Sequence, residues 1–93
     1  MIKSFRCKDT QALFEGRSLR CFQAIEPVAT RRLHLLDKAR DLQRDIGGIP
    51  GNRLEKLHGD RAGQWSIRIN KQWRVCFVWR KGEVFDVEIT DYH

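Results

Sequence analysis

The chain of 93 residues suffices for one domain with a modest core, residues 1–93. At 41% hydrophobic and 32% charged it reads as globular rather than disordered. No apolar run approaches the ~20 residues of a membrane helix, and the opening MIKSFRCKDT lacks the apolar stretch of a secretory signal, so a cytoplasmic protein away from membranes is expected. Eighteen Lys and Arg against twelve Asp and Glu give +6 and a pI near 9.7, which points to a polyanionic partner, most often nucleic acid.

The opening Ile2 to Arg6 is expected to form a strand. Asp9 is placed to cap a short helix over TQALFE that Gly16 stops. A longer helix begins near Pro27 and ends at Gly47-Gly48. Between them Ile25, Ala29, Leu33, Leu36, Ala39, Leu42 and Ile46 recur at steps of three and four, one apolar stripe facing a core. GGIPGN reads as loop, and no Gly-Lys-Ser/Thr follows it to make a phosphate-binding loop. RLEKL reads as a short strand and HGDRAG as a turn.

From Gln64 the period becomes two. Trp65, Ile67 and Ile69 point one way, and Gln64, Ser66, Arg68 and Asn70 the other. Trp73, Val75, Phe77 and Trp79 share a face opposite Arg74, Cys76, Val78 and Arg80; Phe85, Val87 and Ile89 alternate with Asp86 and Glu88. Short gaps at Lys71-Gln72 and Lys81-Gly82 suit hairpins. The expected fold is α+β, order β-α-α-β-β-β-β, a small antiparallel or mixed sheet packed against two N-terminal helices with its other face in water.

That open face would carry Arg68 and Arg74 on neighbouring strands. Either an anion lies between the two guanidinium groups, or carboxylates of Asp86 or Glu88 pair with them. Positive charge concentrates between Arg53 and Arg80, in Arg53, Lys56, Arg61, Arg68, Lys71, Arg74 and Arg80, and reverses after Lys81. Twelve of the cations are Arg, whose planar fork suits phosphate. Cys7, Cys21 and Cys76 are odd in number and widely spaced, without a C-x-x-C, so reduced thiols, no metal and no cofactor are expected.

The stretch PGNRLEKLHGDRAGQWSIRINKQWRVCF, Pro50 to Phe77, with the terminal EITDYH, resembles the HigB branch of the RelE-like bacterial toxins. The opening MIKSF and the helical segment fit as well. The resemblance implies a toxin of a type II toxin–antitoxin system that enters the ribosomal A site and cleaves messenger RNA there. It also implies a HigA-like helix-turn-helix antitoxin, through which alone operator DNA would be reached.

For such cleavage the ribose 2′-OH attacks the adjacent phosphorus, the 5′-oxygen leaves, and negative charge grows on the phosphoryl oxygens. His93 is the natural proton carrier, its imidazole titrating near ~6.5 when unperturbed. Tyr92 would orient the phosphate or stack on a base. Asp91 would accept a proton or hold His93 in one tautomer, and Arg74 would meet the phosphate charge. Arg68, Arg61, Arg53, Lys56 and Lys71 are the expected RNA and ribosome contacts. Adjacent strand residues point to opposite faces, so Tyr92 and His93 reach one phosphate only if the chain turns after Ile89. Some members of the family carry a catalytic His in a His-Pro-Leu-x-Gly run; here Glu55 stands at that position and becomes a candidate accessory base, leaving the general base open. The alternative reading is a non-catalytic RNA- or ribosome-binding module of the same fold.

Overall fold

The structure, a computed structural model, describes residues 1–91. Helix α1 spans Lys8–Phe14 and α2 spans Glu26–Lys38. Strands β1 (Glu55–Lys56), β2 (Trp65–Arg68), β3 (Trp73–Arg80) and β4 (Glu83–Asp91) form one antiparallel sheet in sequence order. The helices pack on one face. Leu13, Leu33 and Leu36 from the helices meet Ile67, Val75, Phe77 and Val87 from the sheet, all essentially without solvent contact. Burial of these side chains is the main favourable term for a domain of this size.

The expected N-terminal strand is absent among the described residues. Ile2 and Phe5 make isolated parallel bridges to Val84 and Val87 of β4. Between those two points Asp86 adopts φ 54°, and the β3–β4 register slips between Cys76 and Val78. This bulge breaks the row of acceptors a continuous fifth strand would need. Ser4 fills the gap instead: its hydroxyl accepts from the Asp86 N–H (2.9 Å) and donates to Asp86 Oδ1 (3.3 Å). The bulge also changes the phase of β4. Val84 rather than Phe85 enters the core, and Phe85 lies under the Arg80 guanidinium, 4.7 Å from its ring centre.

The helical stripe is buried as read except for Leu42, which is only partly buried, but the helix carrying it is interrupted. Ala39 turns extended (ψ 140°), and a separate π-helical segment covers Leu42–Gly47. Two carboxylates compete for the backbone there. Asp45 Oδ2 accepts from the N–H groups of Arg40 and Asp41 (2.9 and 3.0 Å), while Asp41 Oδ1 accepts from Arg44 N–H (2.9 Å). Asp9 does not cap α1; the cap position is Cys7, without a side-chain bond, and Asp9 lies in the first turn. Gly16, at φ 99°, ends that helix as expected.

The two hairpins close differently. Lys81 and Gly82 both have positive φ (51° and 77°), the two-residue turn whose twist matches its strands. Between β2 and β3, Asn70 Oδ1 accepts from the N–H groups of Gln72 and Trp73, both at 2.8 Å.

The outer face of the sheet is less open than expected. Ser66 and Cys76 lie on it, yet both are fully buried. Arg61, in the turn before β2, reaches over to Glu88 Oε1 (3.1 Å) and Gln64 Oε1 (3.1 Å). Burial pushes the Cys76 thiol above its ordinary range.

Two outcomes follow from this packing. The backbone N–H groups of Arg40 and Asp41 hold the Asp45 carboxyl below its ordinary value. Its contribution to stability is therefore full above the unfolded value of about 3.9 and is lost as pH falls through the lower folded value. Asp45→Asn is expected to lower Tm at neutral pH, with the gap to wild type closing on acidification; a constant gap in thermal melts across that range would contradict the assignment. A thiol reagent is expected to modify exposed Cys21 in the native protein and Cys76 only on unfolding. Mass spectrometry of partly labelled protein reads this directly, and equal rates at the two sites would mean the outer face is open.

Candidate functional site

Arg53, Arg68, Asn70, Lys71 and Arg74 line a shallow depression of about 250 Å³ at one end of the sheet's outer face. Four of the five are cations and none is an acid. The antiparallel register creates the arrangement by setting Arg68 directly opposite Arg74. Cations so concentrated raise the local positive potential and favour an anion between them.

Arg74 is the most firmly held of the set. Its Nε donates to Ser66 Oγ (2.8 Å) and its Nη2 to the Arg53 carbonyl (2.8 Å). Nη2 also lies 3.7 Å from Glu55 Oε1, and the Arg74 side chain is 11% exposed against 57% for Glu55. At that separation, and with Glu55 largely in solvent, the ion pair is a weaker hold on the guanidinium than the two hydrogen bonds. Neither Asp86 nor Glu88 takes up the role considered for it, since Asp86 bonds Ser4 and Glu88 bonds Arg61.

Arg68 is fixed through its backbone. Its N–H donates to the Asn52 carbonyl (2.6 Å), and its own carbonyl accepts from Arg32 Nε on α2 (3.0 Å). Burial lowers the pKa of that Arg32 guanidinium, with Arg31 adding to the effect. Arg53 sits at φ 46°, in the left-handed region non-glycine residues seldom adopt.

Asp91 ends β4 opposite Trp73, one rung from the Arg74–Thr90 pair, and accepts a bond from Gln72 Nε2 (3.0 Å). The strand is still extended at Asp91, so no turn after Ile89 occurs within the described residues. Tyr92 and His93, the two remaining expected catalytic residues, lie outside those residues.

The structure thus gathers Arg53, Arg68, Lys71 and Arg74 in the depression, with Glu55 at its rim and Asp91 on the neighbouring strand end. Two expected contacts do not line it. Arg61 is held by Glu88 and Gln64, and the Lys56 ammonium lies 5.9 Å from the Trp65 ring centre. Sequence reasoning missed Asn70 in the lining and Ser66 behind Arg74. Asn70 was detectable as a turn former between two strands, whereas nothing in the local pattern marked Ser66. No three His, Cys, Asp or Glu residues converge as a metal-binding group among the described residues, and none of the described helices is long and apolar enough to cross a membrane.

The fold resembles that of known toxins. A chain of the heterotetrameric YoeB–YefM toxin–antitoxin complex from Staphylococcus aureus superposes with a TM-score of 0.60 at 17% identity, over 100% of this chain and 98% of that one. The YoeB/ParE toxin from Agrobacterium tumefaciens gives 0.53 at 18% identity, over 99% and 96% of the two chains. In sequence, "Endoribonuclease HigB" of Proteus vulgaris is 33% identical over 96 residues, spanning all of both chains. "Toxin HigB-1" of Vibrio cholerae serotype O1 is 44% identical over 59 residues, covering 63% of this chain and 61% of its own length. The family model for the RelE-like toxin of the type II toxin–antitoxin system HigB matches residues 3–93. The chain belongs to the HigB-like branch of the RelE-like toxins.

Proposed function

We propose that this protein is a single-domain toxin, residues 1–93, that acts as a ribosome-dependent endoribonuclease and cleaves messenger RNA in the ribosomal A site. The observation that carries the reading is the cation depression, where Arg68 faces Arg74 and Asp91 ends the neighbouring strand. The full-length similarity to a protein named for endoribonuclease activity supports it.

In the proposed reaction the 2′-OH attacks the adjacent phosphorus, the bond to the 5′-oxygen breaks, and a 2′,3′-cyclic phosphate remains. His93 carries the proton given up by the 2′-OH to the leaving 5′-oxygen, Asp91 fixes its tautomer, and Tyr92 orients the phosphate. Arg74 opposes charge growing on the phosphoryl oxygens. Arg53, Arg68 and Lys71 hold the flanking backbone, while Arg61 and Lys56 face the ribosome from outside the depression. Glu55 serves as accessory base once phosphate has displaced it from Arg74. No metal or cofactor takes part in these steps. The protein acts in the cytoplasm, neutralised by a HigA-like helix-turn-helix antitoxin that also brings it to operator DNA.

Primer extension on messenger RNA translated with purified ribosomes tests this. Cuts within A-site codons are expected with wild type, reduced about 10²–10⁴-fold in His93→Ala and about 10²–10³-fold in Arg74→Ala. RNA free of ribosomes should survive. Glu55→Gln should lose activity if the carboxylate takes a proton. The Glu55–Arg74 contact favours a second reading, a module that binds without cutting because an acid faces the phosphate site. Stalled ribosomes without cuts, unchanged by His93→Ala, would establish that second reading instead.

A further inference from the structure

Asn52 is fully buried, although Gly51 and Arg53 on either side of it are exposed. Its side-chain Nδ2 donates to the Ile46 carbonyl (3.0 Å) and its backbone N–H to the Ile49 carbonyl (3.3 Å), tying it to the helical arm before it. Its own carbonyl accepts from the N–H of Arg68 (2.6 Å), and the next carbonyl, that of Arg53, accepts from Arg74 Nη2 (2.8 Å). One dipeptide therefore braces the backbone of Arg68 and the guanidinium of Arg74, and supplies Arg53 itself to the depression.

The cost of this arrangement argues against simple filling of space. Asn52 is a fully buried polar side chain, where an apolar one would fill the same space without needing a partner. Arg53 is held at φ 46° directly after it. A left-handed non-glycine residue persists where its surroundings over-determine it. Here those surroundings are the amide anchor on one side and the Arg74 bond on the other.

We infer that Asn52 is the positioning residue of the cation depression, and that its amide, anchored on Ile46, sets how many RNA phosphates Arg53, Arg68 and Arg74 neutralise together. The inference deepens the RNA-directed reading proposed above and rests on it. Asn52 touches no RNA in this account. It acts through two backbone carbonyls.

A buried neutral residue has no direct effect on counterion release, which makes the salt dependence of binding a selective readout. Each phosphate neutralised on a single strand contributes about 0.7 to the slope of log affinity against log salt. The probe is a fluorescein-labelled single-stranded RNA oligonucleotide, titrated by anisotropy with the full chain at several salt concentrations. Asn52→Ala is expected to weaken binding by roughly tenfold at low salt and to flatten the slope by about one contact, ~0.7, with no charge removed. Asn52→Leu, which keeps the size and the neutrality but loses the donor to Ile46, should behave alike, and Asn52→Ser should fall between. Leu13→Ala, a core truncation on α1, controls for loss of stability and should leave the slope unchanged. Circular dichroism restricts each comparison to folded protein, and the Ser variant carries the test if Ala does not fold. Wild-type slope and affinity in folded Asn52 variants would overturn the positioning role. Wild-type protein with no salt-dependent RNA binding would overturn the RNA-directed reading itself.

Discussion

The antiparallel register of β3 is the constraint on which most of this molecule depends. It places Val75 opposite Ile67 and Ile89, Cys76 opposite Ser66 and Glu88, and Arg74 opposite Arg68 and Thr90. The first set closes the core beneath the helices and the last creates the cation depression. A slip of one residue would send Val75 and Phe77 into water and Arg74 into the core, because side chains alternate faces along a strand. Hydrophobic burial therefore fixes the electrostatics of the site. Two guanidinium groups that repel each other are held side by side by apolar side chains on the opposite face.

The same division of labour explains how a site made of flexible side chains is kept in shape. Arg74 is held by a serine hydroxyl and a backbone carbonyl, both neutral, with Glu55 at 3.7 Å. Arg68 is held through its backbone from β2's neighbouring loop and from α2. Arg61 has the opposite arrangement, its guanidinium bound to Glu88 over a buried cysteine. Three arginines in one short basic stretch thus have different physical circumstances, decided by which carbonyl, hydroxyl or carboxylate the fold brings near.

The bulge at Asp86 sets the phase of β4. It adds one residue to β4 opposite β3, exchanges Val84 for Phe85 in the core, and leaves the N-terminal segment two separate footholds instead of a strand. Period-two patterning counts residues, so it has no means of registering an extra one. The interruption at Ala39 escaped the helical pattern for a related reason. The apolar stripe continues across it, and only the carboxylates of Asp41 and Asp45, folding back onto nearby N–H groups, reveal that the backbone does not.

By itself the sequence determined the α+β class, the buried stripe of the long helical region, the alternation of β2 and β3, the Lys81-Gly82 turn and the regional positive charge. These are properties of spacing and composition, and spacing survives folding unchanged. The resemblance of the Pro50–Phe77 stretch and the EITDYH terminus pointed to the HigB-like toxins, to which the chain belongs. Tertiary structure alone decided which cations converge, that Glu55 approaches Arg74, and that Asn52 joins the helical arm to the arginines. Those facts rest on strand register, one ion pair and single hydrogen bonds between separate elements. Such bonds are set by where the packed elements come to rest, and no local pattern encodes that position.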